Sequence, residues 1–225
     1  RMKLGRVITI PGASGGVRYI PDVSKDEVYN FLQTISKKIQ SEDRVLPGGF
    51  LYLIDIIYDP DIVASIGNIF ASVIDYTNVD YLVTIETKGI PMALMTAKAM
   101  NIPLLIIRKN SKISEGSSLG ITYVSGTSGT VQTMSLPRRN IKEGSRVILI
   151  DDFMRGGGTL KGMHDLMKEF KVEVAATGVL ISTTKPEEKM IDNYFSLLEL
   201  DEQSVKNKVW PNEKIINKIS ENLNL

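Results

Sequence analysis

The stretch Val147–Leu160, VILIDDFMRGGGTL, restricts the architecture of this chain more than any other. Val147 to Ile150 are all apolar and run into Asp151 and Asp152. Phe153, Met154 and Arg155 follow as a spacer, then Gly156, Gly157, Gly158 and Thr159. Beyond them Leu160, Met163, Leu166, Met167 and Phe170 recur at helical spacing, which predicts a helix over 159–170 with those residues as its buried face. A short, wholly apolar strand feeding an amphipathic helix belongs in a parallel sheet covered on both faces. Ligands of such sheets bind beyond the carboxyl ends of the strands, which is where Asp151 and Asp152 are delivered.

Residues 155–159 then read as a tight loop whose glycines allow close backbone approach. Its amides and the start of the helix make an anion site, most simply for phosphate, and the Thr159 hydroxyl adds a donor. Two carboxylates beside a phosphate would repel the ligand unless they do another job, such as binding vicinal hydroxyls or holding a hydrated Mg²⁺. Acid, acid and phosphate cradle at this spacing suit a ribose 5-phosphate. Three glycines alone would suit any strand-to-helix turn with incidental acids; the whole combination is far more specific.

Similar units recur along the chain. Ser24 and Glu27 have the spacing of a capping box, followed by Val28, Phe31, Leu32, Ile35 and Ile39 on one helical face. Leu46-Pro-Gly-Gly49 breaks the chain, and Phe50–Tyr58 reads as strand. Helices are expected over 61–76 and 91–100, strands over 81–85, 104–107 and 174–181. Residues 109–135, rich in Ser, Gly and Thr, read as a hairpin with mobile surroundings, and residues 6–20 as a second hairpin around Pro-Gly-Ala-Ser-Gly-Gly. The segment after Trp210-Pro211, a polar amphipathic helix, points to no function.

The balance of 27 basic and 26 acidic residues favours no class of partner, although residues 1–20 hold Arg1, Lys3, Arg6 and Arg18 and no acid. With no cysteine, neither disulfides nor thiolate zinc sites hold the fold, which fits a cytoplasmic setting. No apolar run is long enough to span a membrane. The single histidine, His164, excludes mechanisms that need a His pair and reads as packing or surface. Met95, Met100, Met163 and Met167 read as core.

Val147–Thr159 resembles the 5-phosphoribosyl-1-pyrophosphate (PRPP) motif of type I phosphoribosyltransferases, with Gly156 in place of that family's threonine. Ile85-Glu-Thr-Lys-Gly-Ile90 directly follows a strand, where the family places its pyrophosphate loop, so the resemblance assigns Thr87, Lys88 and Gly89 to a diphosphate. Residues 108–135 resemble the family's flexible loop, with Arg108, Lys109 and Lys112 supplying charge.

Ile10–Gly16, Leu46–Gly49, Thr87–Pro91, Arg108–Gly116, Tyr123–Gly126 and Asp151–Met154, in that order, are also similar to the purine operon repressors of Gram-positive bacteria. That resemblance implies an α/β fold: a type I phosphoribosyltransferase-like parallel sheet with helices on both faces, preceded by the wing hairpin of a winged-helix domain. Residues 1–22 would be the remnant of that DNA-binding domain and residues 23–225 the effector-binding domain. Arg1-Met2 is not an initiator start, so the sequence reads as beginning inside a longer protein. A homodimer, operator DNA as partner, and PRPP or guanosine tetraphosphate as effector, with Mg²⁺ held through water near Asp151 and Asp152, are further implications. The rival from another class is an active xanthine- or adenine-type phosphoribosyltransferase; a generic nucleotide-binding domain is a third reading. Phe153, next to the acids, and Phe50 are candidates for stacking on a base.

Overall fold

The computed structural model describes residues 5–10, 15–21, 23–41, 44–46, 50–109, 116–125, 129–202 and 207–222. Arg1, Lys3 and Lys112 lie outside them, as do the tip of the first hairpin and Pro47–Gly49. The first hairpin is present: β1 (Gly5–Ile10) pairs antiparallel with β2 (Gly16–Pro21). Helix α1 (Lys25–Ile39) opens on the expected capping box, the Ser24 hydroxyl accepting from the Glu27 amide while the Glu27 carboxylate accepts from the Ser24 amide.

The run Phe50–Tyr58 departs from expectation. Only Phe50–Leu51 is strand (β4), paired with β3 (Val45–Leu46), and the chain then turns into α2 (Ile54–Ile57). Tertiary contacts override its β propensity. The two terminal guanidinium nitrogens of Arg44 donate to the Asp55 carboxylate at 2.7 Å, and the turn lets the consecutive Ile56 and Ile57 both bury. Helix α3 (Pro60–Val73) follows, its N-terminal amides at Asp61 and Ile62 capped by the Asp59 carboxylate, with Pro60 where no amide is needed.

The main sheet takes β5 (Tyr81–Ile85), β6 (Leu104–Ile107), β9 (Arg146–Met154), β10 (Glu173–Thr183), β11 (Phe195–Asp201) and β12 (Lys208–Pro211) in the order β12-β11-β10-β9-β5-β6. All neighbours are parallel except the edge pair β11–β12. Strand β11 and the antiparallel edge β12 were not expected from the sequence. Strand β7 (Ser118–Val124) and β8 (Val131–Pro137) form the expected antiparallel hairpin.

Alternate residues of the central strands serve two cores. Leu82, Ile148, Ile150 and Leu180 pack beneath α1, α3, α4 (Ile90–Met100) and α6 (Glu213–Asn222). Val83, Ile85, Val147, Leu149 and Val179 pack beneath α5 (Gly158–Glu169) and the β7–β8 hairpin. This burial on both faces is what made the strands continuously apolar. Helices α3 and α4 touch backbone to backbone: a Cβ at Gly67 would lie 2.6 Å from the Met95 carbonyl carbon. The expected helical face Leu160, Met163, Leu166, Met167 and Phe170 is buried as a set.

Candidate effector-binding site

The opening that forms the site begins where β5 leaves β9. Their pairing ends at Val83–Leu149, whereas β9 continues alongside β10 as far as Met154. Asp151 and Asp152 therefore sit within the strand rather than after it, contrary to the boundary read from the sequence. One flank of that strand is open because β5 has turned into the loop Glu86–Gly89. The Glu86–Thr87 peptide in that loop is cis. A cavity of about 360 Å³ lies there.

Asp151, Asp152, Phe153, Arg155 and Thr159 line this cavity together with Thr87, Lys88 and Lys109. Gly156, Gly157 and Gly158 carry the loop between Arg155 and Thr159, and Gly157 adopts φ +85°, a left-handed conformation that favours glycine. Met154 is buried in the second core. Gly89 lies beneath the acids, where a Cβ would stand 2.7 Å from Thr84 Oγ1 and 3.1 Å from Asp151 Oδ1. The backbone of Phe50 opens β4, and its side chain is outside what the structure describes.

Asp151 is almost wholly buried, and its Oδ1 accepts the Asp152 amide at 2.9 Å. Burial, with the Asp152 charge beside it, pushes the Asp151 pKa well above the usual carboxylate range. Burial also raises Asp152, against the pull of its hydrogen bond from Asp151 and of the Lys88 and Lys109 ammoniums. The acids thus sit in a pocket that resists their charge until donors arrive. Vicinal hydroxyls supply such donors, and so does a hydrated cation. Among the described residues no group of three or more His, Cys, Asp and Glu side chains could hold a metal. An Mg²⁺ here would be held chiefly by ligand oxygens and water, with the acid pair as its protein contact.

Several contacts of the site were not legible in the sequence. Glu86 accepts the Lys109 amide at 2.6 Å and the Arg108 guanidinium at 3.1 Å, stapling the Thr87–Gly89 loop to the root of the 108–135 segment. Arg108 is therefore committed to an ion pair at the edge of the site. The Arg155 guanidinium reaches Glu202 at 2.6 Å. Leu51, Leu53, Tyr123, Ser125 and Gln132 complete the walls, the Tyr123 phenol donating to Gln132 Oε1 at 2.8 Å. Tyr123 and Met134 rest on α5 at Gly162, where a Cβ would meet Met134 at 2.7 Å and Tyr123 at 3.0 Å. Arg155 and Tyr123–Gly126 lie in segments the sequence singled out, but these contacts, like the others, depend on pairing across the fold. His164 is a packing residue, its Nε2 2.9 Å from Thr177 Oγ1 and its pKa lowered by burial.

The domain these elements build is a phosphoribosyltransferase domain, and the model of the Phosphoribosyl transferase domain family matches residues 54–213. In fold, the chain is similar to adenine phosphoribosyltransferase of Thermoanaerobacter pseudethanolicus, with a TM-score of 0.64 and 19% identity over 74% of this chain and 98% of that one. In sequence it is 44% identical over 205 residues to the purine biosynthesis transcriptional repressor PurR of Bacillus subtilis, covering 91% of this chain and 72% of that protein. The chain belongs to the PurR family of purine-biosynthesis transcriptional regulators. The family includes proteins of opposite sign: the purine biosynthesis transcriptional activator PurR of Lactococcus lactis is 38% identical, covering 91% of this chain and 76% of that protein. Similarity extends more weakly to the xanthine phosphoribosyltransferase of Pediococcus pentosaceus, at 31% identity over 68% of this chain.

Proposed function

We propose that this protein represses purine biosynthesis and transport genes, its operator binding tuned by PRPP at the Asp151–Thr159 site. The observation that carries the reading is a regulator-like sequence, similar over 91% of the chain to a repressor, built around an acid pair and a glycine loop that share one cavity. The 5-phosphate sits on the amides of Arg155–Thr159, and the ribose hydroxyls sit on Asp151 and Asp152. The diphosphate meets the Thr87–Gly89 loop and the Lys88 ammonium, with a hydrated Mg²⁺ screening the charge. Lys109, with Arg108 at its root, adds positive charge beside it. Guanosine tetraphosphate competes for the same site, its diphosphate on the same loop and its base against Phe153. The β1–β2 hairpin serves as the wing of a winged-helix domain, and a homodimer presents two such domains to operator half-sites.

A mobility-shift titration of the full-length protein on purine-operator and scrambled duplexes tests this reading. Tight operator binding relieved by PRPP is expected. Binding that ignores PRPP, or that does not distinguish the duplexes, would remove it. Expression of the purine genes after deletion separates repressor from activator: transcripts should rise.

Ligand sensing, not turnover, is the role assigned to the pocket. Phosphoribosyl transfer asks mainly for positioning and charge stabilisation, so the alternative enzyme, of xanthine or adenine type, is chemically reasonable. Gly156 takes away the hydroxyl donor that the enzymes' motif carries in the loop. No nucleotide is expected when the protein is incubated with PRPP, Mg²⁺ and adenine, guanine, hypoxanthine or xanthine. Multiple turnovers with any of these bases, seen by chromatography, would establish the enzyme instead.

A further inference from the structure

The segment that follows β10 grips the phosphate loop from behind. Lys189 Nζ donates to the Arg155 carbonyl at 2.6 Å, to the Thr183 carbonyl at 2.8 Å and to Thr183 Oγ1 at 3.3 Å. The next residue, Met190, donates its amide to the Gly156 carbonyl at 2.9 Å, and Ile191 anchors the segment in the second core. In a trans peptide the carbonyl and the following N–H point in opposite directions. Fixing the carbonyls of Arg155 and Gly156 on the Lys189–Met190 side turns the amides of Gly156 and Gly157 the other way. Arg155 and Thr159, at the two ends of that loop, line the cavity. Gly157, whose φ of +85° favours glycine, lies against the strap: a Cβ there would meet the Met190 amide nitrogen at 3.4 Å. The three oxygens that Lys189 contacts belong to uncharged groups, and Glu202, the carboxylate whose charge acts on it, is paired with Arg155, so the Lys189 ammonium also adds positive potential behind the loop.

We propose that Lys189 is a positioning residue for the phosphate subsite, orienting the Gly156 and Gly157 amides and supplying a cation in the layer behind them. It touches no part of the ligand. The inference rests on the reading of residues 155–159 as a phosphate cradle.

The test titrates inorganic phosphate and ribose 5-phosphate into ¹⁵N-labelled protein, following the Gly156 and Gly157 amide resonances at two salt concentrations. The wild type should show saturable shifts. Lys189→Met should bind each anion about tenfold more weakly, on the scale of a lost charged hydrogen bond, and with a shallower salt dependence. Lys189→Gln, which keeps a donor without the charge, should share the shallower slope even if the Met variant fails to fold. Lys189→Arg should recover most of both. Wild-type affinity and slope in the Gln variant, or in a folded Met variant, overturn the inference. A loss in Arg as large as in Met, with an unchanged slope, overturns it in favour of a packing defect. Absence of shifts in the wild type overturns the phosphate cradle itself, and the positioning role with it.

Discussion

Asp151→Asn is expected to weaken PRPP binding at least about tenfold while making the unliganded protein more stable at neutral pH. The carboxylate is nearly inaccessible to water, and burial holds its pKa well above the ordinary range. A group whose pKa is raised on folding binds its proton more tightly in the native state. The resulting cost is absent below the unfolded value near pH ~4, grows as pH rises, and is complete above the folded value. Asn removes the charge but keeps a carbonyl oxygen to accept the Asp152 amide that Oδ1 now holds at 2.9 Å. The variant should therefore melt at the wild-type temperature near pH 4 and above it at pH 7.5, by about 2–4 °C for each kcal/mol relieved. The binding loss follows because the hydroxyls of the ribose lose a charged acceptor, worth ~1.5–3 kcal/mol. Calorimetric titration with PRPP and paired melting curves check both arms. An unchanged dissociation constant would place the ribose elsewhere. A lower Tm at pH 7.5 would mean that the charge is compensated in the empty pocket.

Gly67→Ala should be one of the most damaging single-methyl changes in the molecule. The added Cβ would stand 2.6 Å from the Met95 carbonyl carbon, 2.8 Å from the Thr96 nitrogen and 2.9 Å from the Met95 oxygen. All three are backbone atoms of α4, which cannot rotate away as a side chain would. Overpacking of this kind costs ~1–3 kcal/mol, and only about 1 kcal/mol returns through the better helix propensity of Ala. A net loss of up to ~2 kcal/mol corresponds to a drop in Tm of up to roughly 4–8 °C. Helix α4 begins at Ile90, directly after the Thr87–Gly89 loop, so forcing the helices apart also displaces the proposed diphosphate contacts. A denaturant midpoint within error of the wild type would show that α3 and α4 part easily.

The core of the site was readable because it lies in one contiguous stretch. Apolar strand, adjacent acids, glycine loop and amphipathic helix each have a local signature, and residues 147–170 form them in that order, with the strand running on through the acids to Met154. The rest depends on partners distant in sequence. Glu86 acquires its role only when β6 brings Arg108 and Lys109 beside it. Lys189 is in a polar run with no period, and nothing before folding links it to Arg155. Phe50–Tyr58 misled for the opposite reason: its strong β propensity is local, whereas the Arg44–Asp55 pair that helps turn it into a helix is tertiary. Strand β11 was missed because Glu199 and Asp201 interrupt an apolar run, and the antiparallel edge it supports has no continuous hydrophobic pattern.

Helix α1 is completed against the far end of the chain. Its buried residues Val28, Leu32, Ile35 and Ile39 share a core with Val209, Ile215, Ile216 and Ile219. The Gln40 side chain donates to the Val209 carbonyl at 2.9 Å, and Lys25 donates to Asn217 at 2.8 Å. During synthesis on the ribosome, the apolar stripe of α1 therefore stays without its final cover until residues 208–222 have emerged. Contacts of such long sequence separation close slowly, because the entropy of a long loop must be lost before they form. The nascent chain consequently carries an exposed amphipathic helix for the whole interval between the synthesis of α1 and that of α6.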